Sequence, residues 1–305
     1  MAGKKSGNSY SQLCRHTVIP FTDIKNYEEI INALSQNALR RAEMKSESYF
    51  WAKDSSKNSN SENVLCQEIL TSPRTKNNKA IAMQAISDQA SKAGSSIDMD
   101  RIIIRNILEE ADLSSSGSIP IAVNISAQAA LSKKFWDKIQ NRLDPHNPQK
   151  ILFEILEHDV PSNSSIDHLE ALKEQGYRFV LDDYFSIGAD QTPKQAYDMH
   201  QRRLDLFGPI LSIIKFDGPG AITKAFENED DMATLEQECD RLLELNTDFI
   251  FVAEHVPSFE EARRLPEQID IFQGRDLQPE QYLAYIYTQE PTETTPLSST
   301  MEPIT

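Results

Sequence analysis

The chain has 305 residues and a formal charge of −16 at pH 7, from 31 basic and 47 acidic side chains. This length accommodates one large barrel or two ordinary domains. So strong a negative charge repels nucleic acid and anionic membrane surfaces, and we therefore expect no DNA partner. A small anionic substrate would need cations supplied at its own site.

Cysteine usage and hydropathy predict a cytoplasmic protein. Cys14, Cys66 and Cys239 are far apart and form no CxxC pair, which is typical of reduced thiols. No run approaches eighteen consecutive apolar residues, and the N-terminus lacks the apolar stretch of a secretory signal. We expect no membrane span.

Polar segments bound the chain at both ends. Residues 1–27 are small and polar, which predicts a loose N-terminal arm. Residues 289–305 are rich in Thr, Pro, Ser and Glu and cannot bury much apolar surface, which predicts a disordered tail. Residues 28–288 then form a single folded domain.

Short apolar, β-rich runs alternate with helical segments through this domain. IDMDRIIIRNILEEAD starts with an Asp-rich turn, SKKFWDKIQNRL has an N-cap at Ser132, and SSIDHLEALKEQG ends at the C-cap glycine Gly176. Strands that alternate with helices indicate an α/β fold, and their near-continuous apolar character indicates burial on both faces. The predicted strands are YFWA (49–52), VLCQEIL (64–70), IAVNI (121–125), ILFEIL (151–156), RFVLD (178–182), LSIIKF (211–216), FIFVAE (249–254) and IDIFQG (269–274).

Eight such strands match a TIM-like (β/α)8 barrel. An open doubly wound sheet is the structural alternative. The chain has no glycine-rich GxGxxG or GxxxxGK[ST] turn, which weakens the nucleotide-binding form of that alternative.

Seven strands carry a polar or charged residue at or near their carboxyl ends: Glu68, Asn124, Glu154, Asp182, Lys215, Glu254 and Gln273. In a barrel these ends converge on one face, where active sites are built. Carboxylate and amide oxygens suit Mg²⁺, Mn²⁺ or Ca²⁺. Asp182 is followed directly by Asp183, and two adjacent carboxylates repel one another unless a cation neutralises them. The pattern predicts a hard-metal site.

In chain order, these motifs resemble those of the EAL domain, a bacterial phosphodiesterase domain that linearises cyclic di-GMP. Glu68-Ile69-Leu70 stands where the family has Glu-Ala-Leu. This position implies that Leu70 has a substrate-binding or supporting role at the site. AVNIS, FEILE, VLDDY, SIIKFD, VAEHV and FQG resemble its Val-Asn-Leu-Ser, Glu-x-x-Glu, Leu-Asp-Asp-Phe, Leu-Lys-Ile-Asp, Ala-Glu-Gly-Val and Gln-Gly-Tyr segments. The resemblance extends from about residue 30 to residue 288.

The resemblance implies cyclic di-GMP as the ligand and two divalent cations, Mg²⁺ or Mn²⁺, at the site. Its main metal ligands would be Glu68, Asn124, Glu154 and Asp182. Asp183 would bind a second metal or the bridging water, and Glu254 would complete the two-metal site.

The resemblance also implies catalytic and supporting roles. Lys215 would orient the attacking water or stabilise the charge on the phosphorane, acting with Glu68 and Glu254. Gln273 would support Glu254 and the ligand, and Glu157 would anchor the loop after its strand. Asp217 would either hold a ribose or cap the next helix, and the sequence does not decide between these roles.

Several positions depart from the family pattern. Ser72 stands where an arginine usually follows the motif glutamate, and His255 and Pro257 replace a glycine and a glutamate. Tyr184 and Phe185 occupy the place of a Phe-Gly pair. Lys215 follows Asp182 by 33 residues, about a dozen more than the family pattern, and the additional length lies in QTPKQAYDMHQRRLDLF. In the family this loop couples dimerisation to metal binding.

Two hypotheses of different class follow. The chain is an active phosphodiesterase that hydrolyses cyclic di-GMP, or it is a non-hydrolysing receptor or protein-interaction module built on the same barrel; another phosphodiester substrate is a third option. We expect regulation from a protein partner, from homodimerisation or from the N-terminal arm.

Other residues near the predicted site have less specific signals. For His158 and His255 a structural or supporting role is favoured over direct metal binding, because oxygen ligands already suffice. For Phe50 and Trp51 a core role is favoured over stacking on a guanine. Asp230 and Asp231 are expected on a solvated surface.

Overall fold

The computed structural model describes residues 43–52, 64–72, 95–110, 119–156, 164–187 and 191–274, with positions 83, 86, 87, 90 and 113. The predicted arm and tail, together with Glu157 and His158, lie outside the described residues. Within the described ranges, no helix combines the length and the apolar composition needed to cross a membrane.

Eight strands close into a barrel in which neighbours in sequence are neighbours in space, and β8 pairs with β1. The predicted TIM-like barrel is thereby confirmed. The strands are β1 (Glu43–Ala52), β2 (Val64–Ser72), β3 (Ile121–Ile125), β4 (Ile151–Ile155), β5 (Arg178–Tyr184), β6 (Leu211–Phe216), β7 (Ile250–Ala253) and β8 (Ile271–Gln273).

The first strand differs from a regular (β/α)8 pattern. β1 is antiparallel to both β2 and β8, whereas the strands from β2 to β8 pair in parallel. Eleven residues join Ala52 to Val64, fewer than the dozen or more that a helical crossover between parallel strands requires. A short connection therefore favours the antiparallel pair. Phe50 and Trp51 lie on β1, and their favoured core role stays a prediction.

Helices follow most of the parallel strands. They are α1 (Ser96–Glu110), α2 (Ala127–Ala130), α3 (Lys133–Leu143), α4 (Asp167–Glu174), α5 (Pro193–Phe207), α6 (Thr223–Glu227), α7 (Glu229–Leu245) and α8 (Phe259–Ala262). A 3₁₀ turn at Pro148–Lys150 precedes β4, and a π-helical turn at Gly218–Ile222 precedes α6.

The predicted helix boundaries of the middle segment agree with the structure. The Ser132 side chain accepts a hydrogen bond from Phe135 N, which caps α3. The chain leaves α4 through Gly176 at a φ of 103°, a conformation that side-chain-bearing residues rarely adopt.

The barrel core has two layers of apolar side chains. A large cluster packs between the outer faces of the strands and the surrounding helices. A smaller cluster contains one residue from each strand from β2 to β8: Cys66, Ala122, Leu152, Val180, Ile213, Val252 and Ile271. Because these residues lie on the inner side of their strands, this second cluster fills the lumen.

Candidate metal centre

One end of the lumen carries polar side chains in place of apolar ones. Two positions beyond each lumen residue, every strand from β2 to β8 presents a polar residue, so strand alternation turns it to the same inner side. The structure thereby brings together the seven predicted strand-end residues, which we name the polar ring: Glu68, Asn124, Glu154, Asp182, Lys215, Glu254 and Gln273.

Lys215 lies at the centre of the polar ring. Its Nζ is 2.8 Å from Asp182 Oδ1, 2.9 Å from Glu254 Oε1 and 3.0 Å from Glu154 Oε2. A fourth carboxylate oxygen, Glu68 Oε2, lies 3.9 Å away. Burial lowers the pKa of Lys215, but the carboxylates outweigh burial and raise the pKa well above its ordinary value. Lys215 is therefore a buried ammonium ion among four carboxyl groups.

Glu68 accepts hydrogen bonds from two amide side chains, 56 and 205 positions later in the chain. Asn124 Nδ2 donates to Oε1 at 2.9 Å, and Gln273 Nε2 donates to Oε2 at 2.5 Å. Because both amides direct N–H groups to Glu68, their carbonyl oxygens remain available. Asn124 Oδ1 and Gln273 Oε1 are buried and accept no hydrogen bond from any described residue.

A carboxylate oxygen of the polar ring is in the same condition. Within the described ranges, Glu154 Oε1 is buried without a hydrogen-bond donor, whereas Asp182 Oδ1 is paired with the Lys215 ammonium at 2.8 Å. Buried acceptors without donors cost free energy unless another partner is present. Oxygen acceptors gathered at one point are the ligand set of a hard cation, so these residues fit Mg²⁺ or Mn²⁺.

The end of β5 bends so that adjacent aspartates reach the same place. Successive strand residues normally point to opposite faces, but Asp183 has a φ of 52° and the β5–β6 register shifts between Leu181 and Tyr184. Asp182, Asp183 and Glu254 each bring a carboxylate oxygen within 4.8 Å of the others. A positive φ in a residue other than glycine costs free energy, and such strain is concentrated at functional sites.

Burial acts strongly on two acids of this cluster. Burial raises the pKa of Glu254 to about 7, and the ammonium of Lys215 only partly offsets the effect. Burial likewise raises the pKa of Glu154 well above its ordinary value. Without a further cation, the site holds more acid than one lysine neutralises.

The remaining predicted residues have different surroundings. Asp217 accepts a hydrogen bond from Gly220 N at 2.5 Å and caps the π-helical turn, which is one of its two expected roles. Leu70 is half-buried on β2. His255 is exposed at a φ of 52°, where the family pattern has glycine. Asp230 and Asp231 are exposed in the first turn of α7, as expected.

Arg203 is a buried support of the site that the sequence pattern did not single out. It lies on α5, within the segment of additional length, and is 0% exposed. Its Nη2 donates to Ile155 O at 2.7 Å and to Asp182 O at 3.0 Å. A usable signal existed, because Arg203 stands between the buried residues Met199 and Phe207 at helical spacing.

Asp100 holds the chain just beyond Asn124. Its Oδ2 accepts hydrogen bonds from Ser126 N at 2.9 Å and Ser126 Oγ at 2.6 Å. Burial raises the pKa of Asp100 to about 6, although the bonds from Ser126 oppose this shift. Asp100 therefore links α1 to the turn after β3.

The comparison with protein families matches residues 55–191 to the EAL domain. A search of curated protein sequences found no match. Lys215, Glu254 and Gln273 lie beyond the matched segment.

Solved structures with the same fold are EAL domain proteins of low sequence identity. An EAL domain protein from Listeria monocytogenes is 17% identical with a TM-score of 0.60, and the match covers 86% of this chain and 98% of that one. The PaMucR phosphodiesterase in complex with c-di-GMP is 20% identical with a TM-score of 0.58, covering 83% and 99%. The Xanthomonas citri FimX EAL domain in complex with c-di-GMP is 13% identical with a TM-score of 0.56, covering 84% and 94%.

The resemblance drawn from the strand-end motifs is thus confirmed by the family match, and the solved structures agree in fold. Residues 55–191 of the chain therefore match the EAL domain family.

Proposed function

We propose that the protein hydrolyses cyclic di-GMP to linear 5′-pGpG in a reaction that depends on Mg²⁺ or Mn²⁺. The observation that carries the proposal is the polar ring, in which four carboxyl groups surround a buried lysine. Three other oxygens of the ring, Asn124 Oδ1, Glu154 Oε1 and Gln273 Oε1, are buried without a hydrogen-bond donor among the described residues. Such a ring has no structural need in a barrel lumen, where apolar side chains pack at lower cost.

Two metals would be held by the carboxyl and amide groups of the site. Glu68, Asn124, Glu154 and Asp182 would be the main ligands, Asp183 would bind the second metal or the bridging water, and Glu254 would complete the two-metal site. A pair of divalent cations supplies a deprotonated water and neutralises the phosphate oxygens of the substrate.

Lys215 would act on the attacking water or on the phosphate group of the substrate. It would remain an ammonium throughout, because nearby carboxylates favour its charged form. A fixed ammonium placed where negative charge develops stabilises the transition state without reorganising solvent. Lys215 Nζ would donate to the attacking water or to a phosphate oxygen of the substrate.

The second candidate is a receptor that binds cyclic di-GMP without hydrolysing it. The observation in its favour is the changed loop after β5, where Phe185 has a φ of 74° in place of the family glycine. Ser72 lies at the end of β2, where the family pattern has an arginine. Because serine carries no charge, it would bind a phosphate of cyclic di-GMP more weakly than arginine does.

The two candidates are separated by incubating the purified protein with cyclic di-GMP and Mn²⁺ or Mg²⁺ and assaying linear 5′-pGpG by chromatography. Formation of the linear product that EDTA abolishes supports the phosphodiesterase. Saturable binding of cyclic di-GMP without product supports the receptor. The matched variants are Lys215→Met, which should lose turnover, and Lys133→Met at an exposed helical lysine, which should not.

A further inference from the structure

The chain makes a strained turn directly after the paired aspartates. Ser186 N donates to Asp183 O at 3.2 Å, which closes a four-residue turn that we name the aspartate turn (residues 183–186). Two of its residues have positive φ values, 52° at Asp183 and 74° at Phe185. Side-chain-bearing residues adopt such values at a cost in free energy. The aspartate turn therefore keeps its conformation only if contacts with its surroundings outweigh that cost.

Two side chains of α5 bond to backbone carbonyls on either side of Asp183. Arg203 Nη2 donates to Asp182 O at 3.0 Å, and His200 Nε2 lies 2.8 Å from Ser186 O. A carbonyl oxygen only accepts, so Nε2 of the histidine carries a proton. The two side chains are three positions apart and share one face of the helix. Through them, α5 holds the chain both before and after Asp183.

His200 is a buried and uncharged donor. It is 3% exposed, and burial lowers its pKa to about 4, so the ring is neutral at pH 7. A neutral imidazole has one N–H group, and here that group is directed to Ser186 O. The bond therefore fixes the aspartate turn without placing another positive charge near carboxylates that would bind cations.

Other contacts of the aspartate turn come from α7 and from the π-helical turn. The Tyr184 hydroxyl donates to Glu238 Oε1 at 2.8 Å. An added Cβ at Gly220 would lie 2.6 Å from Phe185 O, so the π-helical turn packs closely against the aspartate turn. These contacts do not involve His200. We therefore expect a His200 variant to fold and to change the aspartate turn locally.

We propose that His200 is a positioning residue for the metal ligand Asp183. Its bond to Ser186 O holds the aspartate turn in the conformation that directs the Asp183 carboxylate to the site. There, Asp182, Asp183 and Glu254 each bring a carboxylate oxygen within 4.8 Å of the others. Without the imidazole donor, the aspartate turn relaxes toward unstrained backbone angles and the Asp183 carboxylate moves away. This inference rests on the metal site of the proposed function.

The test compares the Mn²⁺ affinity of wild type, His200→Leu and His200→Gln, measured by calorimetry on the full-length protein. Leucine removes the donor, whereas the amide of glutamine can place an N–H group where Nε2 lies. We expect His200→Leu to weaken Mn²⁺ binding by roughly tenfold, and His200→Gln to recover most of that loss. The Mn²⁺ concentration that half-saturates cyclic di-GMP hydrolysis should rise by the same factor in the leucine variant.

A double-mutant cycle with Asp183→Asn shows whether the effect of His200 passes through Asp183. In the Asp183→Asn background, the ligand that His200 positions is already gone. His200→Leu should then change Mn²⁺ affinity by less than about twofold. A general loosening of the protein would instead weaken Mn²⁺ binding equally in both backgrounds.

His168 provides the matched control. It lies on α4, outside the aspartate turn, and its Nε2 is 2.9 Å from the carbonyl oxygen of Ala130. His168→Leu removes the same kind of bond, so it should lower the urea midpoint of unfolding while Mn²⁺ affinity stays within about twofold of wild type. If His200→Leu does not fold, His200→Asn replaces it, because its shorter side chain does not reach Ser186 O.

Three results would overturn the inference. They are an unchanged Mn²⁺ affinity in the variant without the donor, an equal loss in both backgrounds of the cycle, and no recovery by His200→Gln. If wild type binds Mn²⁺ and hydrolyses cyclic di-GMP while one of these results is found, the inference fails and the proposed function stands. A wild-type protein that binds no Mn²⁺ would overturn the proposed function, and the role of His200 with it.

Discussion

The ion pairs of Lys215 predict an unusual response to metal. Replacing Lys215 by methionine keeps the volume of the side chain but removes its charge. Three carboxylate oxygens now lie within 3.0 Å of Nζ. Removing one partner of a buried charge cluster costs about 3–5 kcal/mol, since the remaining charges stay buried without compensation. We therefore expect Lys215→Met to lower the free energy of unfolding by about this amount in EDTA.

Saturating Mn²⁺ should restore much of that loss, because the cations would neutralise the same carboxylates. The experiment measures the free energy of unfolding of wild type and of Lys215→Met, each in EDTA and in Mn²⁺. Unfolding by urea is monitored by circular dichroism. The stabilisation by Mn²⁺ should be larger for the variant than for wild type, while cyclic di-GMP turnover is lost in the variant at every Mn²⁺ concentration. The control Lys133→Met breaks an exposed pair with Asp137 and should change the unfolding free energy by less than about 1 kcal/mol. Equal Mn²⁺ stabilisation of the two proteins, or an unchanged variant in EDTA, would refute the idea that Lys215 and the metals share ligands.

Three further predictions concern residues around the polar ring. Burial raises the pKa of Asp100 from 3.8 to about 6. The stability that protonated Asp100 contributes is therefore complete below pH 3.8 and is lost as the pH rises through 6. Asp100→Asn should remove about 3 kcal/mol of this pH dependence from the unfolding free energy measured between pH 4 and pH 7. His255→Gly should be more stable to urea than His255→Ala by about 1 kcal/mol, since only the alanine keeps the cost of a φ of 52°; equal stabilities would mean that the backbone changes conformation in the variants. Arg203→Met should lower stability by roughly 3 kcal/mol and weaken Mn²⁺ affinity, because the carbonyls of Ile155 and Asp182 lose their donor; unaltered Mn²⁺ affinity in calorimetry would limit Arg203 to a structural role.

Much of the fold was predictable because the pattern of apolar and polar residues within each strand indicates which side chains are buried. A lumen residue and a polar residue two positions later recur on seven strands, as in Cys66 and Glu68 or Val252 and Glu254. This spacing marks one inner face with an apolar layer below and a polar layer at the carboxyl end. The predicted helix caps at Ser132 and Gly176 are also local signals, and the structure reproduces them.

Features set by the rest of the fold were less accessible. The composition of β1 gives no indication of its antiparallel direction, although the short connection to β2 favours it. The turn that lets Asp183 join Asp182 depends on a φ of 52° in a residue type that gives no such indication. The helical spacing of Arg203 indicates burial, but its partners are backbone carbonyls of distant strands, which the sequence does not identify.

The hydrogen bond between Gln273 and Glu68 joins residues 205 positions apart in the chain. The first and last parallel strands thus meet at the polar ring, and loop closure of this length is an entropic cost of folding. During synthesis the polar ring cannot be complete until β8 has left the ribosome, so no shorter nascent fragment holds all seven of its residues. A recombinant fragment that ends at residue 191 would lack Lys215, Glu254 and Gln273 of the polar ring. It would still contain Glu68-Ile69-Leu70, the segment that stands at the Glu-Ala-Leu motif.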